Sequence, residues 1–306
     1  MASNARPLGT SAVAATAAAG TVIIRKRQGI MAWSNLRRHP RFLVGGTVIV
    51  LLTILAVLAP VLVHPDPLVS HPADANTAPN GAHWFGTDDL GRDVLGRMLY
   101  GARVSLSVGL IAVGIGLTIG VTLGLIAGYR GGVLDLVIMR LIDALLAFPG
   151  LLLAIAITSA LGANLRNVMI AIGIVAIPVY TRITRGQVLQ VREREFVEAA
   201  RTCGASEGRI VLHHILPNIL SPLIVQASLS IAFAILAEAS LSYLGLGAQP
   251  PTPTWGADIN HAKGYLTNGF WWQSIGPGVA IMLTVLAFNL LGDSIRDLLD
   301  PRLRDR

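Results

Sequence analysis

The sequence has little charge, few aromatic residues and almost no cysteine. Of its 306 residues, 13% are charged and 6% are aromatic, whereas 53% are hydrophobic. A chain with so little polar surface does not divide into soluble domains, because each would expose large apolar patches to water. Cys203 is the only cysteine, which excludes a secreted scaffold held by disulfides. The composition therefore indicates an integral membrane protein.

Short catalytic motifs are also absent. The sequence contains no G-x-x-x-x-G-K-[ST] run, which excludes ATP binding and hydrolysis through that phosphate-cradling loop. Its histidines lie outside the long apolar runs, and their spacing is not that of a zinc site. We therefore predict a non-catalytic chain with no metal site and no cofactor of its own. Whatever energises it must come from elsewhere.

Six apolar runs predict an all-α protein with six transmembrane helices. A helical crossing needs about 20 mostly apolar residues, so the fourth run, with 14, is short. Ser221 and Pro222 are typical of an N-cap and a first helical position, and they predict the start of the fifth helix. The predicted crossings are residues 42–63, 104–128, 133–161, 168–181, 222–247 and 275–292.

The distribution of lysine and arginine predicts the orientation. With six crossings and the N-terminus inside, 18 of these residues lie on the inner side and 5 on the outer side. Without the fourth crossing, the six arginines between Arg182 and Arg209 would change sides and the bias would vanish. We therefore predict an inner or cytoplasmic membrane protein with both termini in the cytoplasm. The net charge of +7 then reflects topology and the anionic lipid surface, and predicts no nucleic-acid partner.

A stripe of glycines lies in the second predicted helix. Gly116, Gly120, Gly124 and Gly128 recur every four residues, which places them on one helix face. Small residues on one face allow a second helix to approach closely in a membrane. The stripe therefore predicts a helix-packing surface.

Acidic residues and prolines within the apolar runs are candidates for a translocation path. Glu238 lies roughly 24 Å along the fifth helix from Pro222, and an intramembrane carboxylate faces either a cavity or a structural partner. Asp143 is a second path candidate, although its spacing from Arg140 also predicts a local ion pair. Pro149 and Pro178 predict helix kinks, which either open a central cavity or are purely structural.

The inner loop at residues 182–217 is the most informative segment. Phe196, Ala200 and Cys203 have the spacing of one apolar helix stripe. Gly204 is a candidate for the end of that helix. A second short helix is predicted to begin at Ser206 and to stop at Pro217. The pattern predicts a helix-turn-helix elbow held between two membrane crossings.

Residues in this loop resemble the EAA loop of permease subunits in binding-protein-dependent ABC importers. That pattern is EAA, three residues, G, nine residues and I-x-L-P. In this sequence it corresponds to Glu198-Ala199-Ala200, Gly204 and Leu216-Pro217. His214 stands where the pattern has isoleucine, as is usual in the peptide and nickel branch of the family.

Further motifs extend the resemblance over residues 40 to 304 and make it specific for the DppC/OppC type of dipeptide and oligopeptide permease. They are Phe85–Asp93, Tyr100–Arg103, Asp143 with Ala147-Phe148-Pro149, Ser240–Gly247, Leu291-Gly292-Asp293 with Arg296-Asp297, and Asp300-Pro301-Arg302.

The resemblance implies a type I ABC importer fold and a set of partners. A homologous DppB/OppB-like permease would complete the path, and two cytoplasmic ATPase subunits would bind ATP and Mg and drive transport. An extracytoplasmic peptide-binding protein would deliver the substrate. By position, Glu198, Ala199, Ala200 and Gly204 would contact the ATPase, with Leu216 and Pro217 fixing the exit into the fifth helix.

The predicted organisation has four parts. Residues 1–41 form a partly disordered cytoplasmic tail, residues 42–63 the first crossing with an extracytoplasmic segment at 64–103, residues 104–292 the core permease domain, and residues 293–306 a cytoplasmic C-terminal tail.

Three other functions remain open from the sequence. Relatives of the same family import nickel or glutathione, and the chain has no cluster that favours a metal. A proton-coupled secondary transporter would use Glu238 and Asp143, but such folds are often built from repeats, and none is evident here. An intramembrane hydrolase would need a serine and a histidine at matched depth, and the crossings contain no histidine.

Overall fold

The computed structural model describes residues 40–63 and 66–299, and within these ranges regular secondary structure is helical. Most of the predicted N-terminal tail and half of the predicted C-terminal tail lie outside the described residues, as do His64 and the Asp300-Pro301-Arg302 motif. The helices are α1 (Pro40–Leu62), α2 (Val94–Arg130), α3 (Gly132–Leu146), α4 (Gly150–Leu161), α5 (Leu165–Val191), α6 (Glu195–Thr202), α7 (Glu207–Tyr243), α8 (Trp255–Ala262) and α9 (Trp272–Leu299).

Five of these helices, α1, α2, α5, α7 and α9, are long and apolar enough to cross a membrane. α3 and α4 are bent by 90° at the short break between them, and together they have the length and composition of one further crossing. Pro149 lies at this break as the N-cap residue of α4. The predicted count of six is reached when the bent pair is counted as one crossing.

Several predicted helix bounds were wrong. α2 begins at Val94 rather than Val104, because the Asp93 carboxylate caps it by accepting from the Gly96 N–H at 2.7 Å. α5 continues to Val191, well beyond the predicted end at Thr181.

The predicted start of the fifth crossing at Ser221-Pro222 was wrong as well. α7 begins at Glu207 and contains a π-helical turn, Ile210–Ile215, followed by the α-helical segment Leu216–Tyr243. Pro217 does not stop the helix. It lies in the first turn after the π-helical turn, where a missing N–H costs little.

Among the described residues, the most extensive helix packing is between α2 and α5. The glycine stripe of α2 faces α5: a Cβ atom added at Gly120 would lie 2.6 Å from the Tyr180 Cβ, and one at Gly124 would lie 2.5 Å from the Thr184 Cβ. Cβ atoms added at Gly116 and Gly128 would lie 2.6 Å from the Ala176 Cβ and 2.8 Å from the Val188 Cβ. Two backbones at this separation leave no room for side chains on the α2 face.

Ion pairs connect α5 to α3. The predicted pair of Arg140 with Asp143 was wrong, since Asp143 binds the Arg182 guanidinium at 2.6 Å. Arg185 pairs with Asp135 at 2.6 Å in the same way. The error follows from the helix bounds, because both arginines lie on the part of α5 that the sequence assigned to a loop.

The two ends of the bundle differ in their loops. The connector, residues 192–206, joins α5 to α7 and contains α6; we call its side the connector end. At the opposite end, residues 66–93 and α8 pack over the helices. There Trp255 is 1% exposed, and its indole N–H donates to the Met98 carbonyl oxygen at 3.0 Å.

Candidate functional site: the connector and a central cavity

The connector is held by a few buried side chains beneath α6. Val197 is fully buried, and Ala200, three residues later, packs beside it. The predicted stripe of Phe196, Ala200 and Cys203 was wrong, because Phe196 is 41% exposed and Cys203 is exposed. The short helix is rotated so that Val197, and not Phe196, enters the core.

A tight turn ends α6. Gly204 has φ +78°, and the turn is closed by hydrogen bonds from the Gly204 N–H to the Arg201 carbonyl at 3.0 Å and from the Ala205 N–H to the Ala200 carbonyl at 3.1 Å. This is the hydrogen-bonded pattern of a glycine-terminated helix. A Cβ at Gly204 would meet nothing within 4 Å, so the left-handed backbone alone requires glycine.

Four of the predicted contact residues are brought together on the connector. Glu198, Ala199 and Gly204 are exposed and Ala200 is half-buried. Leu216 and Pro217 lie elsewhere, on α7 beyond the π-helical turn. The exposed surface is thus a short helix with two small residues and charged neighbours, and it contacts no other part of the described chain on that side.

Contacts that the sequence did not reveal fix the connector to α2. The Arg192 guanidinium donates to the Gly128 carbonyl oxygen at 2.8 Å. The Tyr129 hydroxyl is hydrogen-bonded to the Glu207 carboxylate. These partners are far apart in the chain, so no local spacing signals them.

A cavity of about 430 Å³ lies beside the break between α3 and α4. Phe148 and Gly150 border it from the break, and Pro178 borders it from α5. Gln226 and Ser230 of α7 are its only polar lining side chains in the described part of the chain, and their side chains are hydrogen-bonded at 3.2 Å. The remaining walls are apolar. The bend predicted at Pro149 is therefore found at the edge of a cavity.

The two acidic path candidates have separate surroundings. Glu238 is fully buried, and its carboxylate accepts hydrogen bonds from the Ser242 hydroxyl at 2.7 Å and the Ser105 hydroxyl at 3.2 Å. The Asp143 side chain is 47% exposed and pairs with Arg182. Neither carboxylate lines the cavity, and the structure does not bring the two together.

The bent α3–α4 pair, the cavity beside it and the exposed connector define a multi-pass membrane subunit with an exposed short helix at one end. Comparison with known proteins gives its family. Residues 120–305 match the family described as binding-protein-dependent transport system inner membrane component, and residues 28–79 match the N-terminal TM domain of oligopeptide transport permease C. The chain belongs to this family of ABC importer permeases.

Curated relatives are similar along most of their length. The dipeptide transport system permease protein DppC of Alkalihalophilus pseudofirmus is 46% identical over 89% of this chain and 90% of the relative. The probable D,D-dipeptide transport system permease protein DdpC of Escherichia coli K12 is 45% identical over 87% and 89%. The glutathione transport system permease protein GsiD of Shigella sonnei is 45% identical over 89% and 90%.

Solved structures support the fold. An inward-facing form of the MetNI methionine ABC transporter matches with a TM-score of 0.53 and 17% identity, covering 67% of this chain and 97% of the matched chain. A second crystal form of that transporter gives a TM-score of 0.54. The chain therefore has the type I ABC importer permease fold.

Proposed function

We propose that this chain is the permease subunit of an importer of short peptides and that a cytoplasmic ATPase binds its connector. The observation that supports this most directly is the exposed α6, with its small residues Ala199 and Ala200 and the tight turn at Gly204. Because α6 is joined directly to the crossings α5 and α7, a movement of α6 moves both crossings.

The orientation follows from the same proposal. The connector carries three of the six arginines that the charge bias assigns to the inner side. The opposite end, with residues 66–93 and α8, then faces outward and receives substrate from a peptide-binding protein. A homologous permease completes the path, and two ATPase subunits bind ATP and Mg. The chain itself couples these events and carries out no chemical step.

Short peptides are the substrate class that the relatives' names share. They are named for dipeptides, D,D-dipeptides and glutathione, all of which are short peptides. The cavity volume of about 430 Å³ lies within the usual range for small-molecule sites. A mostly apolar wall with one polar pair accommodates varied side chains, which fits a subunit that leaves selection to a binding protein.

The test is reconstitution with the partner permease, the ATPases and the binding protein in lipid vesicles. We expect ATP-dependent uptake of a labelled dipeptide by the complex and none by this chain alone. Uptake by the chain alone, or labelling that places the connector outside a right-side-out vesicle, would refute the proposal.

A substitution in the connector makes this test specific. Ala199 is exposed, so Ala199→Arg leaves the fold intact but places a bulky charge on the docking surface. We expect the variant to retain less ATPase on affinity purification and to lose ATP-dependent uptake. Ala163→Arg, at an exposed position of the opposite end, is the matched control and should behave as the wild type. Equal ATPase retention by both variants would argue against docking at α6.

A further inference from the structure

Both ends of the connector are tied to a single turn of α2. Arg192, the first residue of the connector, donates to the Gly128 carbonyl oxygen. Glu207, directly after the last residue, is hydrogen-bonded to the Tyr129 hydroxyl. Gly128 and Tyr129 are adjacent, so the C-terminal turn of α2 holds the connector from both sides, although α2 precedes it by more than one complete crossing.

α2 is itself packed tightly on α5. The glycine stripe leaves these backbones in direct contact, and such an interface moves as a unit because a close-packed surface has few alternative arrangements. The connector, α2 and α5 are therefore linked at three places: through the chain at Val191, through Arg192 and through the helix interface.

The start of α7, which follows the connector, is less regular than the α2–α5 interface. The π-helical turn Ile210–Ile215 interrupts the regular hydrogen-bond ladder of α7, and such turns occur frequently at functional sites. Pro217 and Pro222 then remove two further backbone donors within the next turns. This is the part of α7 where bending disturbs the fewest regular hydrogen bonds.

We propose that Tyr129 and Arg192 are positioning residues of the transport cycle, which hold the connector to the α2–α5 pair. When the ATPases close, the connector, α2 and α5 move as one body, and α7 bends at its π-helical turn. This inference rests on the proposed function, since it requires an ATPase at the connector. The two side chains transmit the movement of the connector to α2 and α5, and they bind neither the ATPase nor the substrate.

The first test separates coupling from assembly. In reconstituted complexes, Tyr129→Phe and Arg192→Ala should each lower the number of peptides imported per ATP hydrolysed by about fivefold or more, the lower end of coupling between distant sites. ATPase retention should equal that of the wild type. Arg192→Lys keeps a donor for the Gly128 carbonyl and should restore most of the ratio. Tyr243→Phe removes an exposed hydroxyl at the opposite end and should leave the ratio unchanged.

The outcomes distinguish the two proposals. Assembled variants with a wild-type ratio of peptide to ATP would overturn the role of Tyr129 and Arg192 while leaving ATPase docking intact. Failure of the wild-type chain to retain any ATPase would instead refute the proposed function.

A second measurement applies even if the variants do not assemble. Cys203, the single cysteine, is exposed on the connector and accepts a spin label. It is paired with a second label at Ile126→Cys on α2 or at Leu220→Cys on α7, both exposed positions. In complexes that retain uptake, a non-hydrolysable ATP analogue should change the distance from Cys203 to residue 220 and leave that to residue 126 unchanged. The reverse result would overturn the inference.

Discussion

The ion pairs at the two ends of the bundle differ in how deeply they are buried. At the end with α8, Arg97 binds Asp258 and lies near Asp88, and these side chains are 5%, 9% and 13% exposed. At the connector end, the Arg182 and Asp143 side chains are 52% and 47% exposed. Removing one partner of a buried pair leaves the other charge uncompensated and away from water. Removing one partner of an exposed pair costs little. The end with α8 is therefore locked by buried ion pairs, whereas the Arg182–Asp143 pair can be broken at a lower cost.

The largest effect is expected from Arg97→Met. The substitution leaves Asp258 buried without its partner, which costs about 3–5 kcal/mol of unfolding free energy. Thermal unfolding in detergent should show a strongly lowered midpoint, and Arg166→Met, at the same end but without an ion pair in the described residues, should show almost none. Equal midpoints for the two variants would remove the distinction between the ends.

The same variant has a pH dependence of known sign. Burial raises the pKa of Asp258 above its usual value, and Arg97 opposes this rise. Without Arg97 the folded chain favours protonated Asp258, so the variant's stability is retained at acidic pH and is lost as pH rises through the elevated pKa. The deficit relative to the wild type should therefore be smaller at low pH.

A smaller effect is expected from Gly124→Ala in the α2–α5 interface that joins the two ends. The added methyl group would lie 2.5 Å from the Thr184 Cβ and 2.7 Å from the Thr181 carbonyl oxygen, and overpacking of this kind costs about 1–3 kcal/mol. Gly114→Ala, on the same helix but with nothing within 4 Å, is the control. It should be neutral or slightly stabilising because alanine favours a helix. Unfolding in a detergent titration measures both, and similar losses would show that the interface tolerates separation.

Glu238→Gln tests a buried carboxylate that belongs to the locked part of the molecule. Because its partners are the Ser105 and Ser242 hydroxyls, the amide keeps one acceptor and we expect a loss of about 1 kcal/mol with uptake preserved. Changed uptake in normally assembled complexes would instead support the predicted role in the translocation path. Ser240→Ala, at a half-buried position of the same helix, controls for general effects of substitution in α7.

The parts of this fold that a single sequence reveals are those with a local cause. The glycine stripe and the crossing count follow from periodicity and run length, and the turn at Gly204 follows from the backbone conformation that glycine permits. The start of α2 was missed because Arg97 and Arg103 interrupt the apolar run, although Asp93 is a recognisable cap. Val197 was missed because the rotation of a short helix depends on the surface beneath it.

Side-chain partners were the least predictable feature. Arg140 is the nearest base to Asp143 along the chain, yet Arg182 binds it, because the packing of α5 on α3 decides which groups meet. The contacts of Tyr129 and Arg192 are equally non-local. The sequence indicated the short helix α6, through its resemblance to a known motif, but not what holds that helix in place.

The smallest effect is expected from Asp143→Asn at the connector end. Because the pair with Arg182 is about half exposed, its loss leaves less uncompensated charge inside the protein, and the cost in unfolding free energy should stay below about 1 kcal/mol. High salt screens exposed charges, so the difference between variant and wild type should shrink further when the unfolding midpoint is measured at high ionic strength. The Arg97→Met deficit, which comes from a buried charge, should persist under the same conditions. If salt instead reduced both deficits equally, the two ends would be equally solvated, and the locked end would have to owe its rigidity to helix packing alone.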